Sequence, residues 1–437
     1  MKDARYHAFC ILKEFEQSND RLKFIRDKYY KKTKLEQNDL FRTLVLTNEV
    51  IRWEARLDFW ISTYLSKPIK KLNPSIHIIL KLGYYEALMD DRIPAHAVVH
   101  SWVELTKNEM GRKFSGLVNA LMRKTEKIDP FKKDKKQSLS QWYSYPSWMF
   151  EKWTTQFGAK KAILLFEYFN KPSKIDIRIN CTSEERIEVF NQIKALGVNL
   201  KTSPESEYFI RLDSGTGNIL KSDLFKKGIL NIQDRASGAV VELLDPQPGE
   251  TILDVCAAPG TKSTYIVEKM RNEGKLFSSD ISHKRIQISK DRAKELKIPI
   301  EWSVKDARTD NYVMADRILI DAPCTGTGVL GRRPDIRWRR KKDDVDSMAE
   351  IQSEIINHMA QFLKKKGVMV YATCSLEREE NWNVVESFLK LNDNFTLDSI
   401  ENFIPKNWMN DQNCLETFPP QDMVDGMFAA RLRKNDK

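Results

Sequence analysis

The sequence predicts a multidomain chain: an all-α N-terminal domain, a small α+β linker module, and a C-terminal α/β domain with a mostly parallel sheet. Three observations predict it. Between residues 4 and 127 apolar residues recur at helical spacing, and the only glycines are Gly83, Gly111 and Gly116. The stretch IDIRIN (175–180) alternates apolar and polar residues as a strand does. From Pro248 onward the rhythm becomes strand, glycine turn, helix, strand, which implies parallel strands with helices on both faces. A chain of 437 residues at roughly 150 residues per domain accommodates two to three such parts. The expected boundaries are 1–127, 142–246 and 247–437.

In the first part, Ala8, Ile11, Leu12 and Phe15 form one helical stripe, and Leu40, Leu44, Val50 and Ile51 another. KIDPFKKDKKQSLSQ (127–141) is polar and charged, the composition of a linker. The second part opens with two helical patterns, Pro146 to Gly158 and Ala159 to Asn170, before the IDIRIN strand. Thr182 and Glu185 form a Thr-x-x-Glu capping box for a helix that Gly197 ends, and strand-like pieces follow near Asn199 and Tyr208. In the third part, TILDV, KLFSSD, IEWSV, ADRILID and VMVYATC supply strands. Helices are expected to about Asn272 and from Ser282 to Lys297.

Composition excludes several classes. At 41% hydrophobic and 30% charged residues the chain is neither disordered nor fibrous. No apolar run approaches the roughly 18 residues of a membrane span. The N-terminus has no sustained apolar segment of a secretory signal, so a cytoplasmic protein is expected. Seventy-two basic against 61 acidic residues leave +11, which favours polyanionic partners. None of the cysteines (Cys10, Cys181, Cys256, Cys324, Cys374, Cys414) forms a Cys-x-x-Cys pair, so reduced thiols and no metal are expected.

Ligands of open parallel sheets sit at the carboxyl ends of the strands. Those ends collect Asp254 with the loop Cys256, Ala257, Ala258, Pro259, Gly260, Thr261 and Lys262, then Asp280, Asp306, Asp321 with Cys324, and Cys374. The turn holds a single glycine, Gly260, and is not the G-x-G-x-x-G of dinucleotide sites, nor does it form a phosphate loop. Asp280, ending the second strand, can accept both hydroxyls of a ribose. An acidic loop without a phosphate cradle suits a cofactor with a ribose and no phosphates, and S-adenosylmethionine is the expected one. The bland alternative is a plain strand–helix turn with solvated acids.

Beyond this chemistry, DVCAAPGTKS, DAPCTGTGVLGRRPDIRWRR and YATCSLEREEN resemble the signature blocks of the RNA 5-methylcytosine methyltransferases, the Nol1/Nop2/Sun family. IDIRIN, NIQDRAS (231–237) and DGMFAARLRK (425–434) are similar to family landmarks, and the helical N-terminus is similar to the RNA-binding NusB fold. One departure is Thr261, where the family usually has glycine. The resemblance implies a Rossmann-like, S-adenosylmethionine-dependent catalytic domain. It implies RNA as partner, with 16S ribosomal RNA and a cytosine of the position-967 type as target. It also implies Cys374 as nucleophile and Cys324 as helper in release. The roles make chemical sense: a thiolate adding to carbon 6 of cytosine turns carbon 5 into a nucleophile, and must later be expelled. DNA cytosine methyltransferases instead use the Pro-Cys thiol as nucleophile, which is the rival assignment. A free thiol has a pKa near 8.5, so Cys374 requires a cationic neighbour, for which Lys262 is the candidate. Asp321 is placed to hydrogen-bond the cytosine amino group or a protonated ring nitrogen.

GRRPDIRWRRKK (331–342) follows the Cys324 loop, and its Arg332, Arg333, Arg337 and Trp338 are expected to contact RNA by phosphate pairing and base stacking. The alternative for any charge run is a solvated face. Cys10, Cys181 and Cys414 stand outside motifs and read as small buried hydrophobes. A monomer is expected. Two other functions compete: a tRNA methyltransferase, and a non-catalytic RNA-binding assembly factor, against which the presence of both motif cysteines and all the strand-end acids argues.

Overall fold

The structure is a computed structural model that describes residues 3–90, 92–180, 183–203 and 206–436. It divides into two compact units: Met1–Lys171 with Leu330–Lys341, and Pro172–Val329 with Lys342–Lys437.

The first unit is helical. Helices Ala4–Glu16, Leu22–Lys32, Gln37–Arg52, Glu54–Thr63, Pro74–Met89, Ala95–Met110 and Arg112–Met122 follow one another as the spacing predicts. Ala8, Ile11, Leu12, Phe15, Val50 and Ile51 enter one core with Trp60, Ile79 and Trp102. Leu40 does not; it is exposed on its helix, because the apolar stripe of that helix turns inward only from Leu46. Asn73 caps the central helix through its side chain, with Pro74 at the first helical position.

The expected linker belongs to this same unit. Gln137 is buried, and Ser138 and Gln141 form a capping box that opens helix Leu139–Tyr143. Ser147–Phe169 follows and breaks at Gly158, whose φ of 76° only glycine adopts without strain, so the two helical patterns of the sequence meet there.

The second unit opens with a four-stranded antiparallel sheet. Its strands are β1 (Ile175–Ile179), β2 (Asn199–Thr202), β3 (Phe209–Ser214) and β4 (Leu230–Ile232), in the order β2-β3-β1-β4. Helix Ser183–Ala195 packs on it through Val189 and Ile193; the Thr182–Glu185 capping box and Cys181 lie outside the described residues. Two polar residues of IDIRIN are buried for a reason. Asp176 accepts from Arg211 Nε at 2.9 Å and Arg235 Nε at 3.3 Å. Arg178 donates to Gln233 Oε1 at 2.6 Å and Thr264 Oγ1 at 3.2 Å, and pairs with Glu268. Thr264 and Glu268 lie on helix Thr261–Lys269, which follows the acidic loop, so the small module braces that helix.

The larger sheet contains β5 (Thr251–Val255), β6 (Lys275–Asp280), β7 (Glu301–Val304), β8 (Ala315–Asp321), β9 (Leu363–Thr373), β10 (Phe395–Leu397), β11 (Leu415–Glu416) and β12 (Phe428–Lys434). The order is β7-β6-β5-β8-β9-β12-β10, with β11 on β12. Strands β5 to β9 pair in parallel, and β12 runs antiparallel between β9 and β10. Both faces are covered. Leu253, Val255, Ile318 and Ile320 pack against helices Asp344–Met359 and Trp382–Leu391. Ile252, Leu319, Val368 and Val370 pack with helices Arg235–Leu244 and Thr261–Lys269. That two-sided burial explains the near-continuous apolar strands. Strand order reverses between β5 and β8, so a crevice opens at their carboxyl ends. Among the described residues no helix is long and apolar enough to cross a membrane.

Candidate active site

The loop after β5 carries the strain of the site. Cys256 has φ 61° and Gly260 φ 95°, while Thr261 begins helix Thr261–Lys269 and is not among the residues of positive φ. Gly260 thus takes the conformation that requires glycine, and the helical position after it tolerates a threonine. A Cβ on Gly260 would press on the Trp302 ring at 2.8 Å. Ala257 and Ala258 are buried, Pro259 is exposed, and the Ala257 N–H donates to Ser279 O at 2.8 Å, tying the loop to the end of β6.

The acids gather as the strand ends predict. Asp254 is wholly buried and accepts from Ser263 Oγ at 2.6 Å, while its Oδ1 has no hydrogen-bond partner among the described residues. Burial, with Asp321 and Asp280 adding and Ser263 and Lys262 opposing, pushes its pKa up to about 7. Asp280 is nearly buried; its oxygens accept from Ser282 N at 2.9 Å and pair with Arg285 at 3.1 Å, leaving lone pairs for a ribose. Asp306 is held by Arg308 through Nε and Nη2, which lowers its pKa. Burial pushes the Cys256 thiol up, and Asp280 adds to it.

The two motif cysteines meet. Cys324, in the loop after β8, and Cys374, directly after β9, place their sulfurs 3.4 Å apart. Lys262 Nζ lies 2.8 Å from Asp321 Oδ2. Burial works against the Lys262 ammonium, but Asp321, Cys374 and Asp254 outweigh it and raise its pKa. The lysine therefore stays charged in the field of the Cys374 sulfur. The Cys324 thiol is pushed far up, first by its contact with Cys374, then by burial and by the Cys374 and Glu380 charges. The two sulfurs share one proton-bearing contact, with the Lys262 ammonium close enough to feel the Cys374 charge. Gly328 N donates to Cys374 O at 2.9 Å, and a Cβ there would collide with Gly426 O, so the two thiol loops and the turn before β12 are close-packed backbone.

The segment expected to contact RNA is placed differently. Arg337 is fully buried within the first unit, donating to Arg52 O and Ser144 O at 3.2 Å, Asn170 Oδ1 at 2.7 Å and Phe169 O at 2.9 Å, over the Tyr145 ring. Trp338 donates to Ile51 O at 2.8 Å and joins the edge of the helical core. These two side chains are structural anchors, because the Arg337 Nη atoms are spent on three backbone carbonyls and the Asn170 amide oxygen, and the Trp338 Nε1 on Ile51 O. Arg333 is exposed and Arg332 half-buried, so a phosphate contact is open to Arg333. The sequence reading passed over Glu380, Thr325 and Ser375. The available signal was that Thr325 and Ser375 directly follow the two thiols, with Glu377, Glu379 and Glu380 close behind Ser375.

Comparison with known proteins identifies the families of the three parts. Residues 241–433 match the family described as 16S rRNA methyltransferase RsmB/F, residues 2–127 match the NusB family, and residues 145–217 match the ferredoxin-like domain of RsmF/B-like methyltransferases. A ribosomal RNA small subunit methyltransferase B of Photorhabdus laumondii is 32% identical over 409 residues, covering 92% of this chain and 93% of that protein. The crystal structure of PH0851 superposes with a TM-score of 0.83 at 24% identity over 99% of this chain and 98% of its own. NSun6 from Pyrococcus horikoshii, solved with SFG, gives 0.60 at 21% identity over 68% of this chain and all of its own. The first part is a NusB-type helical domain, the small module is ferredoxin-like, and the last part is a methyltransferase domain. With an aligned relative over nearly its whole length, this chain belongs to the RsmB/F family of 16S ribosomal RNA methyltransferases.

Proposed function

We propose that the enzyme methylates carbon 5 of an RNA cytosine through a covalent Cys374 adduct at carbon 6. The observation that carries the reading is the 3.4 Å thiol pair at neighbouring strand ends, with the Lys262–Asp321 ion pair alongside and the Cys374 sulfur in the field of the Lys262 ammonium. The thiolate beside Lys262 adds to carbon 6, and the electron pair of the ring double bond moves toward carbon 5. Asp321, held by Lys262, faces the amino group or ring nitrogen of the base. S-adenosylmethionine, when bound, supplies the electrophilic methyl group. The chain's residues fit that cofactor: the Cys256–Lys262 loop, Asp280 for the ribose, Asp306, and the buried Asp254 oxygen that no group among the described residues satisfies. Solvent water then takes the carbon 5 proton, whose bonding pair restores the ring double bond while the carbon–sulfur pair returns to Cys374. The Cys324 thiol, 3.4 Å away, assists by hydrogen-bonding the departing sulfur.

The substrate we assign is 16S ribosomal RNA, at a cytosine of the position-967 type, in keeping with the relatives' names and a cytoplasmic enzyme. The base must leave its stack to reach the thiols, at a few kcal/mol if paired, so a loop cytosine is the favoured target. Labelled RNA on denaturing gels tests the mechanism. Cys374→Ala should abolish methylation and show no adduct, whereas Cys324→Ala should accumulate a protein–RNA adduct. An adduct in Cys374→Ala alone would reverse the two roles. Bisulfite sequencing of RNA from a deletion strain decides between ribosomal and transfer RNA.

A further inference from the structure

The carboxylate of Glu380 is wholly buried and takes hydrogen bonds from both thiol loops at once. Oε2 accepts from Thr325 N at 2.8 Å and from Gln352 Nε2 at 3.0 Å. Oε1 accepts from Ser375 Oγ at 2.6 Å and from the Thr325 hydroxyl. Thr325 directly follows Cys324, and Ser375 directly follows Cys374. Gln352 also donates to Pro323 O at 2.8 Å, so the residue on the other side of Cys324 is held by the same network. Glu380 is itself fastened, since Tyr371 donates its hydroxyl to Glu380 O at 2.6 Å. Next to it, Asn381 donates from Nδ2 to Ser375 O at 2.9 Å and accepts from Thr373 Oγ1 at 2.5 Å, clasping both neighbours of Cys374.

A buried carboxylate is costly unless donors surround it, and here two oxygens meet four donors. Sheet pairing alone orders the backbone of β8 and β9 as far as the pair Asp321 and Ala372. Beyond that point the strands give way to loops, where Thr327 bridges to Ser375 Oγ and Leu376 N and Glu380 gathers donors from both residues that follow the thiols. We propose that Glu380 is the positioning residue that sets the separation and orientation of the two thiols, acting through Thr325 and Ser375 without touching substrate. Its charge also contributes to holding Cys324 in the protonated form.

The turnover arm of the test rests on the function proposed above; the bridging arm does not. Dibromobimane becomes strongly fluorescent once both its bromines are displaced by thiols, and the full-length protein should be bridged between Cys324 and Cys374, as peptide masses would identify. Glu380→Gln preserves shape but turns an amide donor toward existing donors. It should slow bridging roughly fivefold and lower kcat roughly tenfold to a hundredfold, as for a misplaced reacting group. KM for RNA and Kd for S-adenosylhomocysteine should stay at the full-length protein's values. Glu380→Asp, which keeps two acceptor oxygens, should recover part of both rates. Where Glu380→Gln fails to fold, Ser375→Ala decides, and it should slow bridging to a lesser degree. Unchanged bridging in a folded Glu380→Gln protein, or in Ser375→Ala in its place, overturns the inference, even if the melting temperature falls. Bridging without any methyl transfer by the unaltered protein would defeat the functional reading and leave Glu380 to be judged on bridging alone.

Discussion

Asp254 shows what a single buried carboxyl does to this molecule. Its pKa of about 7 in the folded state stands well above the ordinary carboxylate value, with burial as the main cause. Between roughly pH 4 and 7 the folded protein therefore holds a proton that the unfolded chain has released. Stability falls as pH rises through that window and levels off above it; a raised folded-state pKa stabilises only below the window. About three pKa units correspond to on the order of 4 kcal/mol. Asp254→Asn should remove this dependence, since an amide oxygen still accepts from Ser263. Urea unfolding of the ligand-free proteins at pH 4.5 and 8 would measure it as a change in their stability difference, and a pH-independent difference would count against the buried acid. At this scale the motif residues were legible because their spacing carries chemistry: the strand-end acids, the thiol pair and the Gly260 turn all come together. Glu380 was not, although it lies within a quoted motif. Its role depends on which donors from other loops converge on it, and no local spacing encodes that.

At the scale of elements, the segment Leu330–Lys341 carries the main lesson. A run of arginines with one tryptophan reads the same whether the guanidinium groups reach phosphates or buried carbonyls; only packing separates the two. In this structure Arg337 meets three carbonyls and an amide, and Arg52 supports the same junction by donating to Phe169 O at 2.6 Å and Gly331 O at 3.1 Å. Burial lowers the Arg337 pKa to about 10, so it remains charged at neutral pH. Arg337→Ala would leave those acceptors buried and unpaired, at about 3 kcal/mol or more. Arg333→Ala, at an exposed position, should leave stability within about 0.5 kcal/mol, and it should flatten the dependence of RNA affinity on salt if Arg333 meets a phosphate. Thermal melts and salt titrations of the two variants separate anchor from contact. A stable Arg337→Ala protein with weakened, salt-insensitive RNA binding would restore the original expectation for that side chain.

The whole chain was readable in outline because its three rhythms differ in period: 3.6 residues in the helical part, two in the IDIRIN strand, and alternating strand and helix after Pro248. Less readable was which residues pack together. The polar stretch 127–141 has the composition of a linker, yet Gln137 is buried, and contacts unite residues 1–171 with a segment more than 150 residues further on. That has a consequence for dissecting the protein. Cutting at residue 127 would seem to release a NusB-type module. It would instead divide a compact unit, because Arg337 loses Arg52 O, Trp338 loses Ile51 O, Arg339 loses Phe15 O at 2.6 Å, and Asp335 loses the Leu22 N–H at 3.2 Å. Trp338 and Ile128 would also lose the helical core they pack against. A fragment of residues 128–437 should consequently melt below the full-length protein and be cleaved by trypsin within 331–342, at arginines that the intact chain protects. A fragment as resistant there as the full chain, with an unchanged melting temperature, would show that the helical part is dispensable for folding. In the expected case, a loss of RNA affinity on truncation mixes a missing surface with a disordered 331–342 segment. The surface is then better tested by exposed single substitutions in the intact protein, where the segment keeps its anchors.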